Sequence, residues 1–145
     1  MGGSHWQDNG DGTFTLLDRG SMVPADGFSY LELYLMGFLP ADRVPDFFLL
    51  RDVQPAGRDS AGRPRVTAER LDITIRDVIA HNGPRVPAFE DAQKEFRTAM
   101  VAVVLNGRTP SPELLARTEA IGRAWADYWS RVTGGAATMS VRPVR

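Results

Sequence analysis

The run Ser111-Pro112-Glu113 opens the stretch that most restricts what this chain can fold into. Ser111 places a hydroxyl where the first free N–H groups of a helix need an acceptor. Pro112 lacks only an N–H that would have no partner there, and Glu113 sets an acid on the positive end of the helix dipole. Leu114, Thr118, Ile121, Trp125, Tyr128 and Val132 then recur in alternating steps of four and three, which predicts one apolar stripe facing a core. Glu119/Arg123 and Asp127/Arg131 fall on the solvent side as acid-before-base pairs, and Gly134-Gly135 stops the helix. Trp129 lies off the stripe, where its ring offers a candidate binding surface; Trp125 and Tyr128 read as core.

Such a stripe needs something to cover it. Two further helix starts carry the capping-box spacing: Ser29 with Glu32, and Thr74 with Asp77. The first predicts a short helix from Tyr30 to Met36, ended by Gly37 and apolar nearly all round, hence buried on most sides. The second predicts a helix through Ala80, ended by Asn82-Gly83-Pro84, although Ile73 to Ile79 can also begin as a strand. Asp8-Asn9-Gly10-Asp11-Gly12 predicts a hairpin over Trp6 to Leu17, with Phe14 and Leu16 facing the core. Strands are expected at Phe47–Leu50, Arg65–Leu71, from about Phe96 towards Leu105 with a helical start from Ala92 as the alternative, and at the edge over Thr138–Val141. Asp18 to Gly27 and Gln54 to Pro64 read as surface loops, and Pro40–Pro45 and Asn106–Pro110 as turns. The expected class is α+β in a single domain over 1–145, with a short buried N-terminal helix, a small sheet and a long amphipathic C-terminal helix.

Composition removes several functions. The 145 residues are 43% hydrophobic and 24% charged, enough for one core without a disulfide or structural metal. The absence of cysteine excludes thiol nucleophiles, disulfide frameworks and cysteine-ligated metal centres. A net charge of -1 gives no field that would gather nucleic acid or an anionic membrane. The most apolar run, Leu31 to Leu39, contains Glu32 and is far short of the roughly 20 residues of a membrane-spanning helix. The first residues lack the cationic start and apolar run of a signal peptide.

Chemistry-bearing residues are few. His5 and His81 are the only histidines, and no H-E-x-x-H occurs to present two imidazoles to one zinc. A metal site would need the fold to join these histidines to a carboxylate, with Glu32 and His5 as the candidate ligands; the alternative is solvent-exposed or cap-bonded imidazoles. Glu32 itself stands among Leu31, Leu33, Leu35 and Met36, where an uncompensated carboxylate costs a few kcal/mol, so it caps Ser29 or serves a site. Asp8 to Gly12 fails the calcium-loop register, because glycines occupy the third and fifth positions. Ser21 lacks the flanking pattern of a nucleophile elbow. The arginines from Arg51 to Arg70 interleave with Asp52, Asp59 and Glu69, a solvated surface more than a nucleic-acid platform.

Trp6-Gln7-Asp8-Asn9-Gly10-Asp11-Gly12-Thr13-Phe14 and its preceding residues, then Phe28-Ser29-Tyr30-Leu31-Glu32-Leu33-Tyr34-Leu35-Met36-Gly37-Phe38-Leu39-Pro40 with Val44-Pro45, resemble the C-terminal part of bacterial secreted zincin-like metallopeptidases. Ile75–Ile79 with Gly83–Pro87, and Arg123-Ala124-Trp125 through Gly135, resemble later parts of the same group. The resemblance implies a zinc-binding helix upstream of the matched region, so that Met1 is internal to a longer protein or the chain is a shortened relative. It implies Leu35-Met36-Gly37 beneath a metal site, with Glu32 as a ligand or a group behind the ligands. Zinc would then belong to the full-length parent, and this chain would be a noncatalytic subdomain forming one wall of the cleft, extracellular with that parent. Its partner would be the catalytic region or a second copy. A stand-alone binding or protein-interaction domain derived from that fold is the alternative, and a small enzyme using Glu32 and a histidine is a third.

Overall fold

The structure, a computed structural model, describes residues 4–19 and 27–143. Helices and strands both occur among them, in two compact units: residues 4–19 with 44–84, and residues 27–43 with 85–143. Ser21 and most of the expected loop after Asp18 lie outside the described residues.

The first unit holds a four-stranded antiparallel sheet in the order β1-β2-β4-β3, formed by β1 (Ser4–Asp8), β2 (Thr13–Arg19), β3 (Phe47–Arg58) and β4 (Pro64–Ile73). The hairpin turn forms as its residues dictate. Gly10 and Gly12 take φ of 78° and 80°, while Asp8 accepts the Gly10 N–H at 2.8 Å and Asp11 the Thr13 N–H at 3.0 Å. Phe14 and Leu16 are buried, and Phe14 meets Phe48 at 5.8 Å between ring centroids. Asn9 holds the buried Thr15 hydroxyl at 3.1 Å, so the one polar side chain in that run is satisfied.

Gln54 to Pro64 is not a loop. β3 continues to Arg58 because Gln54 pairs with Thr67 and Pro55 with Val66, leaving only 59–63 to turn. Pro55 is tolerated because β3 is the edge of the sheet, and the ladder slips between Arg51 and Gln54, where Asp52 has φ of 50°. The stretch is nonetheless exposed throughout from Arg51 to Arg58. α2 (Ile75–Asn82) follows with the expected Thr74/Asp77 capping box; the strand reading of its start stops at Ile73.

The second unit is organised by a β–α–β segment: β5 (Glu95–Met100), α3 (Pro112–Val132) and β6 (Thr138–Pro143), the two strands pairing in parallel. A parallel pair needs a crossover of this length, and the 21-residue helix supplies it. β5 ends at Met100 and does not extend to Leu105. Its last partner is Pro143, which has no N–H for a ladder. α1 (Tyr30–Met36) has both arms of its capping box and a left-handed Gly37 at φ 82°. It is less buried than its composition predicts: Tyr34 is buried, whereas Tyr30 is 57% and Leu35 45% exposed.

α3 starts and stops where its residues require, and Val132 of the expected stripe is buried with Leu114 and Thr118 half-buried, but the middle of the packed side is displaced from that stripe. Gly122, Val132 and Thr133 are buried, while Ile121 and Trp125 remain 50% and 45% exposed. The contact row therefore runs through Gly122 and Trp129, one residue on from Ile121 and Tyr128. A glycine brings the helix close to the strands: a Cβ on Gly122 would lie 2.8 Å from Val141 and 3.2 Å from Met100. Trp129 packs edge-on against Phe28, Phe38 and Phe96, with centroids 5.6–6.1 Å away.

Candidate functional site

The candidate ligands fall into ordinary local roles. Glu32 Oε2 accepts the Ser29 N–H at 2.8 Å, and the Glu32 N–H donates to Ser29 Oγ at 3.2 Å. This reciprocal cap accounts for a carboxylate on an apolar helix. His5 is exposed on β1, in the first unit, and Glu32 belongs to the second. His81 is exposed, with Nδ1 2.8 Å from the Asp77 carbonyl oxygen one helical turn earlier. Among the described residues no group of three His, Asp or Glu side chains is gathered as a metal set.

Trp129, read from sequence as a binding residue, instead places its ring in the Phe28/Phe38/Phe96 cluster. Its indole Nε1 is buried without an acceptor among the described residues. Trp125 and Ile121 take the exposed position expected of Trp129.

The carboxylates of the β1–β2 turn are structural. Asp8 receives Arg70 at 2.7 Å and Asp11 receives Arg65 at 3.3 Å. The Gly10 N–H and then Arg70 hold the Asp8 carboxyl below the usual range, and the Thr13 hydroxyl does so for Asp11.

Two surfaces of the second unit remain for function. One is a set of exposed apolar side chains: Val101, Val103 and Leu105 are 71–86% exposed in the segment after β5, and Ile121 and Trp125, with Leu115, are exposed on α3. The other is the exposed face of the β5–β6 pair, where a hollow of about 510 Å³ is lined by Glu95, Arg97, Thr138, Ser140 and Arg142, with Phe96 and Met139 between them. Sequence reading passed over these arginines. The alternation of Glu95, Phe96, Arg97 and Thr98 marks an outward polar row, but only the pairing with β6 sets Arg97 beside Ser140 and Ala99 beside Arg142.

No described helix is long and apolar enough to cross a membrane. Neither a protein-family model, nor a curated protein, nor a solved structure matches the chain.

Proposed function

We propose that this chain is a noncatalytic domain of a zincin-like metallopeptidase-type protein, building one wall of the cleft by packing its apolar surface against the catalytic region. The exposed apolar set Val101, Val103, Leu105, Ile121 and Trp125 carries this reading. Side chains of this size gain about 1.5–3 kcal/mol on going from full exposure to full burial, and five of them left half or more than half in water, or nearly so, invite a partner. The sequence resemblance selects the partner. In this reading zinc and the general base belong to the catalytic region, and the Ser29–Glu32 cap shapes the short helix at the foot of the cleft. Exposure in a secreted setting follows from the same parentage.

The test is light scattering after size exclusion, with binding of a hydrophobic dye to the native full chain. The expected result is dye binding or self-association that falls when Val103, Leu105 and Ile121 are replaced by serine. A monomer that binds no dye overturns the reading and favours the stand-alone binding module.

A further inference from the structure

We propose that the outward face of the β5–β6 pair is an oxyanion-binding site in which Arg97 and Arg142 clamp a phosphate or carboxylate group. In the parallel register Arg97 pairs with Ser140 and Ala99 with Arg142, so the arginines occupy one diagonal and two small residues the other. Strand spacing and rise put their Cα atoms roughly 8 Å apart, within the span over which two arginine side chains converge on one anion. The small Ser140 lowers the floor between them, and a cavity of about 510 Å³ is present there. Thr138 adds a second hydroxyl to its wall.

Charge points to the ligand. Neither guanidinium is in an ion pair among the described residues, which also holds for other exposed arginines such as Arg76 and Arg117, so it is the placing of two on one strand-pair face that singles them out. Like charges on neighbouring positions of one sheet face repel, and a bound anion removes that cost. Each guanidinium offers forked N–H donors that match the geometry of phosphate and carboxylate oxygens. Glu95 lines the same hollow beside Arg97, two positions before it on β5 and opposite Thr138. Its carboxylate repels an anion and confines it to the arginine end.

The experiment is calorimetric titration of the full chain, at low ionic strength, with inorganic phosphate in one arm and a blocked Glu-Glu dipeptide in the other. Saturable binding in either arm is expected, and the arm that binds tighter identifies the oxyanion. Arg97→Gln and Arg142→Gln should each weaken it about tenfold, the loss expected when one charged hydrogen-bonding group is removed. Glu95→Gln should tighten it, a gain that damage to the fold would not produce. Added salt should weaken binding throughout. No saturable heat in either arm overturns the site, as does binding unchanged in the double arginine variant with an unaltered circular dichroism spectrum. The apolar surface plays no part in these readouts, so they stand apart from the wall-forming role.

Discussion

Gly122 of α3 faces Val141 of β6 so closely that a Cβ on the glycine would sit 2.8 Å from Val141 Cγ1. Alanine in a helix is favoured over glycine by about 1 kcal/mol, which opposes the steric cost. Valine is stiff about its first side-chain torsion and cannot swing its methyl away freely. The clash should win: Gly122→Ala is expected to lower stability by about 1 kcal/mol net, the balance of that preference and an overpacking cost of about 1–3 kcal/mol. In a Val141→Ala background the same change should become stabilising. Urea unfolding of the four proteins of the cycle measures the coupling.

Gly37 combines two constraints that most glycines of the chain do not share. It has φ of 82°, and a Cβ there would meet Arg85 Cζ at 2.5 Å and Ala92 Cβ at 2.6 Å. Arg85 cannot retreat cheaply, because it donates to the Leu35 carbonyl at 2.9 Å, to Met36 at 3.1 Å and to Pro87. Gly37→Ala should therefore cost about 2–4 kcal/mol, left-handed strain plus overpacking. Gly107, at φ 76° with open space around it, is the control. Gly107→Ala should cost only the backbone part, about 1–2 kcal/mol. Thermal or urea unfolding of both variants separates strain from contact.

What was legible in the sequence was local. Ser29 with Glu32, Thr74 with Asp77 and Ser111 with the Leu114 N–H form caps whose partners lie within three residues, and all three helix starts occur where the sequence puts them. The Asp8–Gly12 hairpin is local in the same sense. The errors fall where a distant segment decides. Gln54 and Pro55 are polar or strand-breaking by themselves and become strand because Thr67 and Val66 pair with them. The middle of the α3 stripe departs from the apolar count because that count passes over Gly122, whose missing side chain lets the helix approach β6. Arg97 and Arg142 are 45 positions apart in sequence and become neighbours only through strand register.

Acid should weaken the first unit through carboxylates that fold into hydrogen bonds. The Thr74 hydroxyl and N–H hold Asp77 below its usual value of 3.8, and the Gly10 N–H and Arg70 do the same for Asp8. A carboxyl with a depressed folded-state pKa contributes stability above its unfolded value and loses it as pH falls through the folded one. Stability should thus be flat above about pH 5 and fall below about pH 4, in the window set by these carboxylates. In Asp77→Asn and Asp8→Asn the drop should be shallower, and each variant should converge on the parent at low pH. Urea midpoints across this range test it.

The two tryptophans of α3 should behave oppositely, although they stand one helical turn apart. Trp125 is 45% exposed beside Tyr128, whereas Trp129 is enclosed by Phe28, Phe38 and Phe96. Phenylalanine at 125 keeps a ring against Tyr128 and gives up area that is nearly half in water, so Trp125→Phe should cost less than about 1 kcal/mol. It should lower the acrylamide-quenchable fluorescence, leaving the part that comes from the half-buried Trp6. Phenylalanine at 129 removes an indole N–H that has no acceptor among the described residues, a gain, but leaves a gap at three edge-on aromatic contacts. The gap should dominate: Trp129→Phe is expected to cost about 1–3 kcal/mol by the loss of packed volume, while the quenchable fraction rises because Trp125 then supplies more of the emission. If Trp129→Phe were neutral and Trp125→Phe destabilising, the packed row of α3 would run through Ile121 and Trp125, and the apolar surface assigned to partner packing would be core.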